Sequence, residues 1–462
     1  MPNTRTLAIL ALAALTAHTA AAESLLEIYQ RALQNDPTIR EAEATYRAQA
    51  EVKPQARAAL MPGLSLSSSV SNNFQDTKGP LSFGGGAIGN RSVFDTDTHG
   101  WTVSLSQTIF DWGQYTQLKQ ADKRVMRAMT DYESAKQQLL IRVATAYFNV
   151  LAAKDSLASA VSAREAISRQ LEQAQRRFEV GLIAITDVQQ SQAGYDDAVA
   201  SEILAQRTLA TSYEQLREII GDMVTDLAAP TDELPLVSPD PGSPEQWVQT
   251  ALAQNLTLVS SRIAAEVAED DIAIQRGSRL PKVSLSASYT SSNTDRLQTF
   301  YAVDPVTGAP LQTVTPVSQQ PDGHSWSIDV RFPLFTGGLN RSRIQQSVYT
   351  HRAATEELER IARQTERQTR DAYLGVLSEI SRVRALRQSV ESNRTALRAT
   401  EAGFEVGTQT TVDVLTAQRN LSSAETSYSR SRYDYIMNVL SLKQAAGSLT
   451  VTDVEQVDGW LK

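Results

Sequence analysis

The sequence predicts a mostly α-helical chain that also contains a small set of β-strands. Three observations lead to this fold class: a long internal duplication, two helical stretches of more than 60 residues, and four short segments in which apolar and polar residues alternate. Long helical stretches and alternating segments both occur in each copy of the duplication. The duplicated unit is therefore itself a mixture of helices and strands.

The duplication consists of three blocks that recur in the same order. RFEVGLIAITDVQQSQ, which begins at Arg177, returns 226 positions later as GFEVGTQTTVDVLTAQ. LMPGLSLSSS at Leu60 returns 219 positions later as RLPKVSLSAS, and QTIFDWG at Gln107 returns 225 positions later as FPLFTGG. A period of this length indicates a duplicated module and not a short solenoid repeat.

The chain begins with the pattern of a secretory signal peptide. Arg5 gives a short positive region, an apolar stretch follows, and a small-x-small site precedes Glu23. We therefore predict five parts: a signal peptide at 1–22, a first structural repeat at 23–220, an acidic and proline-rich linker at 221–243, a second structural repeat at 244–449, and a C-terminal segment at 450–462.

Composition restricts the classes of protein to consider. The chain has no cysteine, which excludes a disulfide framework and a lipid anchor on an amino-terminal cysteine. After Glu23 no run approaches the ~18–20 apolar residues of a membrane-spanning helix. The exported protein is therefore either soluble or spans a membrane as a barrel. The formal net charge of −8 argues against nucleic acid as a partner.

Four segments alternate apolar and polar residues, as half-exposed strands do. Each is roughly ten residues long, the length of a membrane-spanning strand, and aromatic residues lie near the ends. Their apolar faces begin at Leu64, Trp101, Val283 and Trp326. The polar segments between paired strands, 76–98 and 294–322, are predicted to be long loops because they contain a Gly84-Gly85-Gly86 tract and several prolines.

Two long helices dominate the rest. No proline or glycine interrupts Gln114 to Glu179, which corresponds to about 100 Å of helix, and Asn340 to Glu405 is its counterpart. Apolar residues from Leu118 to Ala160 are spaced by threes and fours, typical of helices that pack along their whole length. Shorter helices are predicted at roughly 24–60, 185–219, 244–280 and 411–446.

This arrangement resembles the TolC family of outer-membrane channel-tunnels over essentially the whole chain after the signal peptide. The block at Arg177 is similar to TolC-family sequences, and so are ATAYFNVLAA at 144–153, TEAGFEVGTQTTVDVL at 400–415 and YDYIMNVLSLKQAAGSL at 433–449. The resemblance implies a homotrimer in the outer membrane of a Gram-negative bacterium. Four strands from each protomer would form a twelve-stranded β-barrel, joined to a long α-helical coiled-coil barrel that forms a tunnel through the periplasm.

Elementary physics supports oligomerisation independently of the family. Four strands cannot close a barrel, and an open edge in lipid leaves unpaired backbone groups. Two protomers would close eight strands around a filled interior, whereas three leave room for a channel. The residues alone do not choose between these numbers; the resemblance implies three.

The resemblance also implies a function and partners. It implies an exit duct for type I protein secretion and multidrug efflux, with a periplasmic adaptor (membrane fusion protein), an inner-membrane ABC or RND-type transporter and outer-membrane lipid as partners. Two alternatives stay open: a channel dedicated to small-molecule efflux, and an exported coiled-coil structural protein. The sequence does not name the cargo, the pump or the adaptor.

Glycines at the ends of the two long helices predict the turns of helical hairpins, because glycine adopts the left-handed conformation that reverses the chain. The resemblance implies that these turns dock the adaptor. The residues concerned are Val180, Gly181 and Leu182 in the first turn and Val406, Gly407 and Thr408 in the second.

The resemblance places a gate beside the turns. Thr186 and Asp187 match the family's Thr-Asp pair, whereas Phe404 and Gln409 stand where the family has a Tyr and an Arg that bond to that pair. Asp413 matches the first of two entrance Asp residues, and Thr416 replaces the second. We therefore expect a weakened latch and a single ring of Asp413 residues, and such rings favour cations. By itself, each Asp is also a favourable helix-start residue.

Neither catalysis nor cofactor binding is predicted. After the signal peptide the histidines are His99, His324 and His351, and no metal-ligand spacing, nucleophile elbow or phosphate loop is present. A stripe of arginines at 360, 363, 367 and 370 has glutamates at pairing distance, which predicts a solvated, ion-paired helix face; a surface facing the lumen or an adaptor is the alternative.

Overall fold

The structure is a computed structural model that describes residues 22–83, 86–224, 226–231, 234–304 and 307–461. The predicted signal peptide up to residue 21 and Gly84-Gly85 lie outside these ranges. The helices are α1 (Leu25–Asn35), α2 (Pro37–Ala50), α3 (Val52–Ala58), α4 (Trp112–Glu179), α5 (Ile185–Ile220), α6 (Pro244–Gln254), α7 (Leu256–Gly277), α8 (Leu339–Glu405), α9 (Thr411–Ala446) and α10 (Val451–Asp458). The strands are β1 (Gly63–Phe83), β2 (Gly86–Phe110), β3 (Lys282–Val303), β4 (Pro310–Gln319) and β5 (Asp322–Arg331).

The chain divides into two compact units. The first contains Met1–Tyr46, Ala128–Ser261 and Leu358–Lys462, and the second contains Arg47–Arg127 and Arg262–Glu357. Over the parts of the chain that the structure describes, no helix is both long and apolar enough to cross a membrane.

The second unit contains one antiparallel sheet. β1 pairs with β2, β2 with β3, and β3 with both β4 and β5. β4 and β5 follow each other along the same side of β3 and are separated at Pro321, whose missing N–H cannot continue the ladder. The four predicted strand segments are confirmed as β1, β2, β3 and β5.

The prediction of long loops at 76–98 and 294–322 was wrong. β1 and β2 continue in register through these residues to Phe83 and Gly86, and β3 continues to Val303 opposite β4. Polar side chains hold the extension, since Arg91 forms an ion pair with Asp76 at 3.0 Å and Asn72 donates to Asp95 at 2.9 Å. Apolar residues such as Phe94, Leu297 and Val314 do lie on these strands, but they are scattered among polar residues and do not form the regular stripe on which the prediction relied.

The apolar faces of the outer strands are exposed. Leu64, Leu66, Val70 and Phe74 of β1 and Trp326, Ile328 and Val330 of β5 are all open to the surroundings of the chain. Within the described sheet, β1 is paired on one side only, as are β4 and β5. The sheet therefore ends in two free edges, each next to an apolar surface.

The first unit is a helical assembly with a continuous hydrophobic core. The predicted heptad positions of α4 supply Leu139, Val143, Ala146, Val150 and Ala153, which are all buried. The core also includes side chains of α1, α9 and α10. The Leu25 N–H donates to Asp458 Oδ1 at 2.8 Å, so the first and last helices of the chain meet there.

A buried tyrosine ties the linker to this core. The Tyr147 hydroxyl lies 2.6 Å from the Ala228 carbonyl oxygen and 3.0 Å from that of Glu23. Tyr373, 226 positions later, makes one comparable bond, to the Gly242 carbonyl at 2.7 Å. Burial raises the pKa of Tyr147, so this hydroxyl stays protonated and remains a donor.

The long helices and the helices that follow the turns were predicted to within two residues at each end. The single helices predicted at 24–60 and 244–280 were wrong, because each is interrupted by an N-cap. Asp36 Oδ1 accepts from the N–H groups of Thr38 and Ile39 at 2.6 and 3.1 Å, and Asn255 Oδ1 accepts from the Leu258 N–H at 3.1 Å. α10 was not predicted.

The arginine stripe on α8 is an exposed, ion-paired face, as predicted. Arg363 pairs with Glu359, Arg367 with Asp371 at 2.8 Å, and Arg370 with Glu366 at 2.6 Å, all one helical turn apart. Such exposed pairs contribute about 0.3–0.5 kcal/mol each.

Candidate gate at the two hairpin turns

The two hairpin turns share one backbone geometry. Gly181 and Gly407 have φ of 74° and 80°, the left-handed region in which glycine is unstrained. In the first turn the N–H groups of Gly181 and Leu182 donate to the carbonyls of Phe178 and Arg177, both at 2.9 Å. In the second turn Gly407 and Thr408 bond in the same way to Phe404 and Gly403 at 3.2 and 2.8 Å. Each is therefore a Schellman termination, and the duplication extends to individual backbone bonds.

Both turns expose apolar side chains. Val180, Leu182 and Val406 project from the turns with most of their surface accessible. A Cβ added to Gly181 or Gly407 would meet nothing within 4 Å, so positive φ and not crowding explains glycine at these positions. The Thr408 hydroxyl donates to the Gly403 carbonyl at 3.1 Å and so reinforces the second turn.

The two turns differ in how the returning helix is capped. Asp413 and Thr410 form a complete capping box: the Asp413 carboxylate accepts from the Thr410 N–H and hydroxyl at 2.8 and 2.7 Å, and the Asp413 N–H donates to the Thr410 hydroxyl at 3.3 Å. Asp187 is preceded by Ala184, which has no side-chain acceptor, and accepts one bond from the Ala184 N–H at 3.2 Å.

The capping box changes the acidity of Asp413. Hydrogen bonds from the Thr410 hydroxyl and N–H hold the pKa of Asp413 below its usual range. The carboxylate is exposed in the described chain and stays ionised at all physiological pH values.

Three of the other predicted gate residues are exposed in the described chain. Thr186 and Gln409 are exposed beside the turns. Thr416 is also exposed, and its hydroxyl donates to the Val412 carbonyl of its own helix at 2.7 Å. Thr416 therefore uses its polar group locally.

Phe404 is placed differently from its neighbours. It is only 8% exposed and packs in a small hydrophobic cluster with residues of α8 and α9, including Val414 and Leu421. The guanidinium carbon of Arg177, at the end of α4, lies 4.9 Å from the centre of the Phe404 ring. Arg177 Nη2 also approaches the Glu405 carbonyl oxygen at 3.5 Å. Arg177 thus connects the end of the first hairpin to the second.

Sequence reasoning did not single out Arg177 or a second connection further along the hairpins. Arg419 of α9 forms an ion pair with Asp197 of α5 at 2.8 Å. Next to it, Gly194 allows the Leu415 side chain to approach, since an added Cβ would lie 3.0 Å from Leu415 Cδ1. Asp197 and Arg419 lie on different returning helices at unequal distances from their turns, so residue spacing gave no signal for this ion pair.

The hairpin residues carry groups suited to packing and to ion attraction. Exposed apolar turns can bury surface against another protein, and the partly exposed carboxylate of Asp187 and the exposed carboxylate of Asp413 attract cations. Among the residues described by the structure, no group of three or more His, Cys, Asp or Glu side chains could hold a metal ion.

Comparison with known proteins agrees with this architecture. A family model for outer membrane efflux proteins matches residues 28–222 and 247–448. The chain is 34% identical to the outer membrane protein TolC of Vibrio cholerae over 441 residues, which cover 96% of this chain and 94% of that protein. It is 28% identical to the alkaline protease secretion protein AprF of Pseudomonas aeruginosa, covering 94% of this chain and 86% of that protein.

Solved structures show the same fold. The outer membrane protein VceC from Vibrio cholerae superimposes with a TM-score of 0.70 at 17% identity, covering 92% of this chain and 96% of that chain. The alternative of an exported coiled-coil structural protein is thereby set aside, and the protein resides in the outer membrane and extends into the periplasm. The chain belongs to the outer membrane efflux protein family and is an outer-membrane channel for efflux and secretion.

Proposed function

We propose that this channel works as a homotrimer whose strands form one twelve-stranded barrel and whose hairpins form a gated tunnel. In this proposal the repeats 23–220 and 244–449 each contribute two strands and one hairpin, and the linker 221–243 and the segment 450–462 lie around the middle of the tunnel. The channel performs no chemistry: it passes proteins or small toxic compounds outward, and an inner-membrane ABC or RND-type transporter supplies the energy.

The observation that carries the proposal is the sheet with two free edges. β1 and the β4–β5 line each lack a partner on one side within the described residues, and apolar side chains cover the adjacent surfaces. In lipid, unpaired backbone groups cost several kcal/mol each, so further copies of the sheet must complete the ladder. Because β4 and β5 follow each other along the same side of β3, they count as one line, and three copies then give twelve strands, which leave room for a channel.

The hairpin turns support a role for a periplasmic adaptor. Val180, Gly181 and Leu182 of the first turn, and Val406, Gly407 and Thr408 of the second, present a small apolar surface on a rigid backbone. Rigid apolar helix ends suit docking against another helical protein. The gate proper would consist of Thr186, Asp187, Phe404, Gln409, Asp413 and Thr416, with the Asp413 carboxylates attracting cations.

The mass of the purified protein in detergent tests the assembly. Light scattering with correction for bound detergent should give three chains, and planar bilayers should show discrete channels. A folded one-chain species without conductance would contradict the proposal.

Cargo is a separate question. Cells with and without the protein should be compared in two respects: their export of a secreted protein and their sensitivity to small toxic compounds. A defect in both supports the general duct, whereas a defect in drug sensitivity alone supports a dedicated small-molecule channel.

A further inference from the structure

A small cavity lies within the helical unit, and none of the turn or gate residues lines it. Its volume is about 210 Å³. Linker residues 237–240 form one side, and the other sides come from α6, α8, α9 and the end of the chain, through Trp247, Val376, Val439, Leu442 and Trp460. Every lining residue belongs to the first compact unit and lies within the described ranges.

The aromatic and charged side chains around this cavity already use their polar atoms. Trp247 Nε1 donates to the Pro241 carbonyl at 2.8 Å, and the Tyr435 hydroxyl accepts from the linker backbone at 2.9 Å. Lys443 Nζ forms an ion pair with Asp453 at 2.5 Å. The surface that remains for an occupant is mostly ring carbon and aliphatic carbon, to which water binds poorly.

One charged group of the cavity lining remains unpaired. Asp240 lines the linker side and is exposed, and its carboxylate has no hydrogen bond or ion pair within the described residues. Asp453 offsets the charge of Lys443, so an occupant meets a net negative charge. An apolar cavity with few, well-placed polar groups is the usual form of a small-molecule site.

We propose that this cavity binds a small aromatic cation, a compound in which one aromatic ring carries an amine on a short aliphatic chain. A cavity of about 150 Å³ takes benzene, so this larger one has room for a ring and a short chain. Trp247 and Trp460 pack against the ring and attract the cation, and Asp240 pairs with the ammonium group. An aromatic anion would bring its charge against Asp240 and is disfavoured.

This binding site is additional to the channel and does not depend on how many copies assemble. Its occupant contacts the linker, α8, α9 and the C-terminal segment together, so binding stabilises the helical unit against unfolding. A ligand of this size should bind with a dissociation constant of about 0.1–1 mM.

Titration of the purified protein in detergent at neutral pH tests the site. Phenethylamine is the probe, and the readout is tryptophan fluorescence, because Trp247 and Trp460 line the cavity. The signal should saturate, and the unfolding temperature should rise over the same range of concentration. Hydrocinnamate and phenethyl alcohol have a similar ring and chain with a negative or a neutral end, and both should bind more weakly than the amine.

Two substitutions separate the contribution of the ring from that of the charge. Val439→Phe fills the cavity and should abolish the saturable signal, whereas Val451→Phe, at an exposed position outside the lining, should leave it intact. Asp240→Asn should weaken phenethylamine binding by up to about fivefold, the range of an exposed charge pair, and leave phenethyl alcohol unchanged. Asp222→Asn is its control, because Asp222 is exposed in the same linker and accepts from the Met223 N–H.

A signal that Val439→Phe leaves in place would show that the amine enters the detergent or another site, and the proposal would be wrong. Equal binding of the amine, the alcohol and the anion would overturn the cationic class of ligand. If Val439→Phe does not fold, the comparison of the three ligands and of Asp240→Asn still decides the question. A conducting oligomer that binds no phenethylamine refutes this site and leaves the channel function standing.

Discussion

The guanidinium of Arg177 lies over the ring of Phe404, 4.9 Å from its centre, and joins the ends of the two long helices just before their turns. The resemblance predicts a tyrosine at the position of Phe404, whose ring is buried beside Arg177. A cation over an aromatic face does not require the tyrosine hydroxyl. The contact between the two hairpins therefore does not depend on a hydroxyl at position 404.

Arg177→Gln should increase the resting conductance of the channel. The substitution removes a cation–π contact of about 0.5–1 kcal/mol, which corresponds to about a two- to fivefold shift toward the open state. Single-channel recording in planar bilayers measures this. Arg176→Gln is the matched control, because Arg176 pairs with Glu172 on its own helix and its side chain is exposed. Equal effects of both substitutions would show that general charge, and not the Phe404 contact, controls the resting state.

Phe404→Tyr combined with Gln409→Arg should lower the resting conductance below that of the unsubstituted channel. The two substitutions restore a hydroxyl donor and a cation that can pair with Asp187 by a charge-assisted bond, which is about twice as strong as a neutral one. Unchanged conductance in the double variant would place the gate elsewhere, or show that Arg177 already keeps the entrance shut.

Asp413 should keep the channel cation-selective at low pH. Thr410 holds the pKa of Asp413 below its usual range, so the negative charge persists as the pH falls and is lost only below that lowered pKa. Thr410→Val removes the hydroxyl donor, so selectivity should disappear at a higher pH than in the unsubstituted channel. Asp413→Asn should weaken selectivity at every pH at which Asp413 is ionised.

The measurement is the reversal potential in a salt gradient, recorded from neutral pH down to about pH 3. This range includes the pH at which ordinary carboxyls titrate. Thr416→Val is the control, since the Thr416 hydroxyl bonds to the Val412 carbonyl and not to a carboxylate. A pH profile that Thr410→Val leaves in place would refute the role of the capping box.

Gly181→Pro or Gly407→Pro should abolish export while the oligomer still assembles. Proline fixes φ near −65°, which is incompatible with the φ of 74° and 80° at these turns, and it removes the N–H that closes each Schellman termination. Export by cells and oligomer mass are measured on the same variants. Gly242→Ala is the control, because that glycine has open space around it and an ordinary φ. Normal export by these variants at normal abundance would show that the turns are not part of the docking surface.

Tyr147→Phe should destabilise the helical unit. The substitution leaves the buried Ala228 carbonyl without its 2.6 Å hydrogen bond, a loss of about 1–3 kcal/mol. Tyr373→Phe is the internal comparison, with one bond in a less enclosed place, and we expect about 0.5–1.5 kcal/mol there. Thermal unfolding of the two variants in the same detergent compares their stabilities. Equal decreases in unfolding temperature would contradict the special role of Tyr147.

The sequence predicted the long helices, in which an apolar periodicity is followed by a glycine that ends the helix. α4 follows from its heptad spacing, α8 follows as its counterpart in the second repeat, and both end just before glycines with positive φ. The extended hairpins were missed because residues such as Asn72 and Asp95 stabilise strands through polar bonds without an apolar stripe. The caps at Asp36 and Asn255 were missed because an N-cap inside a helical pattern is local and leaves the apolar spacing on both sides intact.

The two hairpin turns beside the candidate gate were predictable in position, whereas the contacts around them were less so. The capping role of Asp413 follows from Thr410 three residues before it. The Arg177–Phe404 contact joins residues 227 positions apart, as their numbers show, and depends on how two helices are placed side by side. Residue spacing carries no information about such a placement.

The hydrogen bond from the Leu25 N–H to Asp458 joins residues 433 positions apart, and it sets the order in which the protein can mature. A chain delivered to the periplasm with its amino end first cannot make this bond until α10 has emerged, so the part of the core that α10 covers is completed last. Long-range closure of this kind is slow and leaves apolar surface available to chaperones and proteases. A chain stopped after Ala446 should be degraded in the periplasm, whereas Asp458→Asn, which keeps the acceptor oxygen, should mature at close to the normal rate in a pulse-chase experiment.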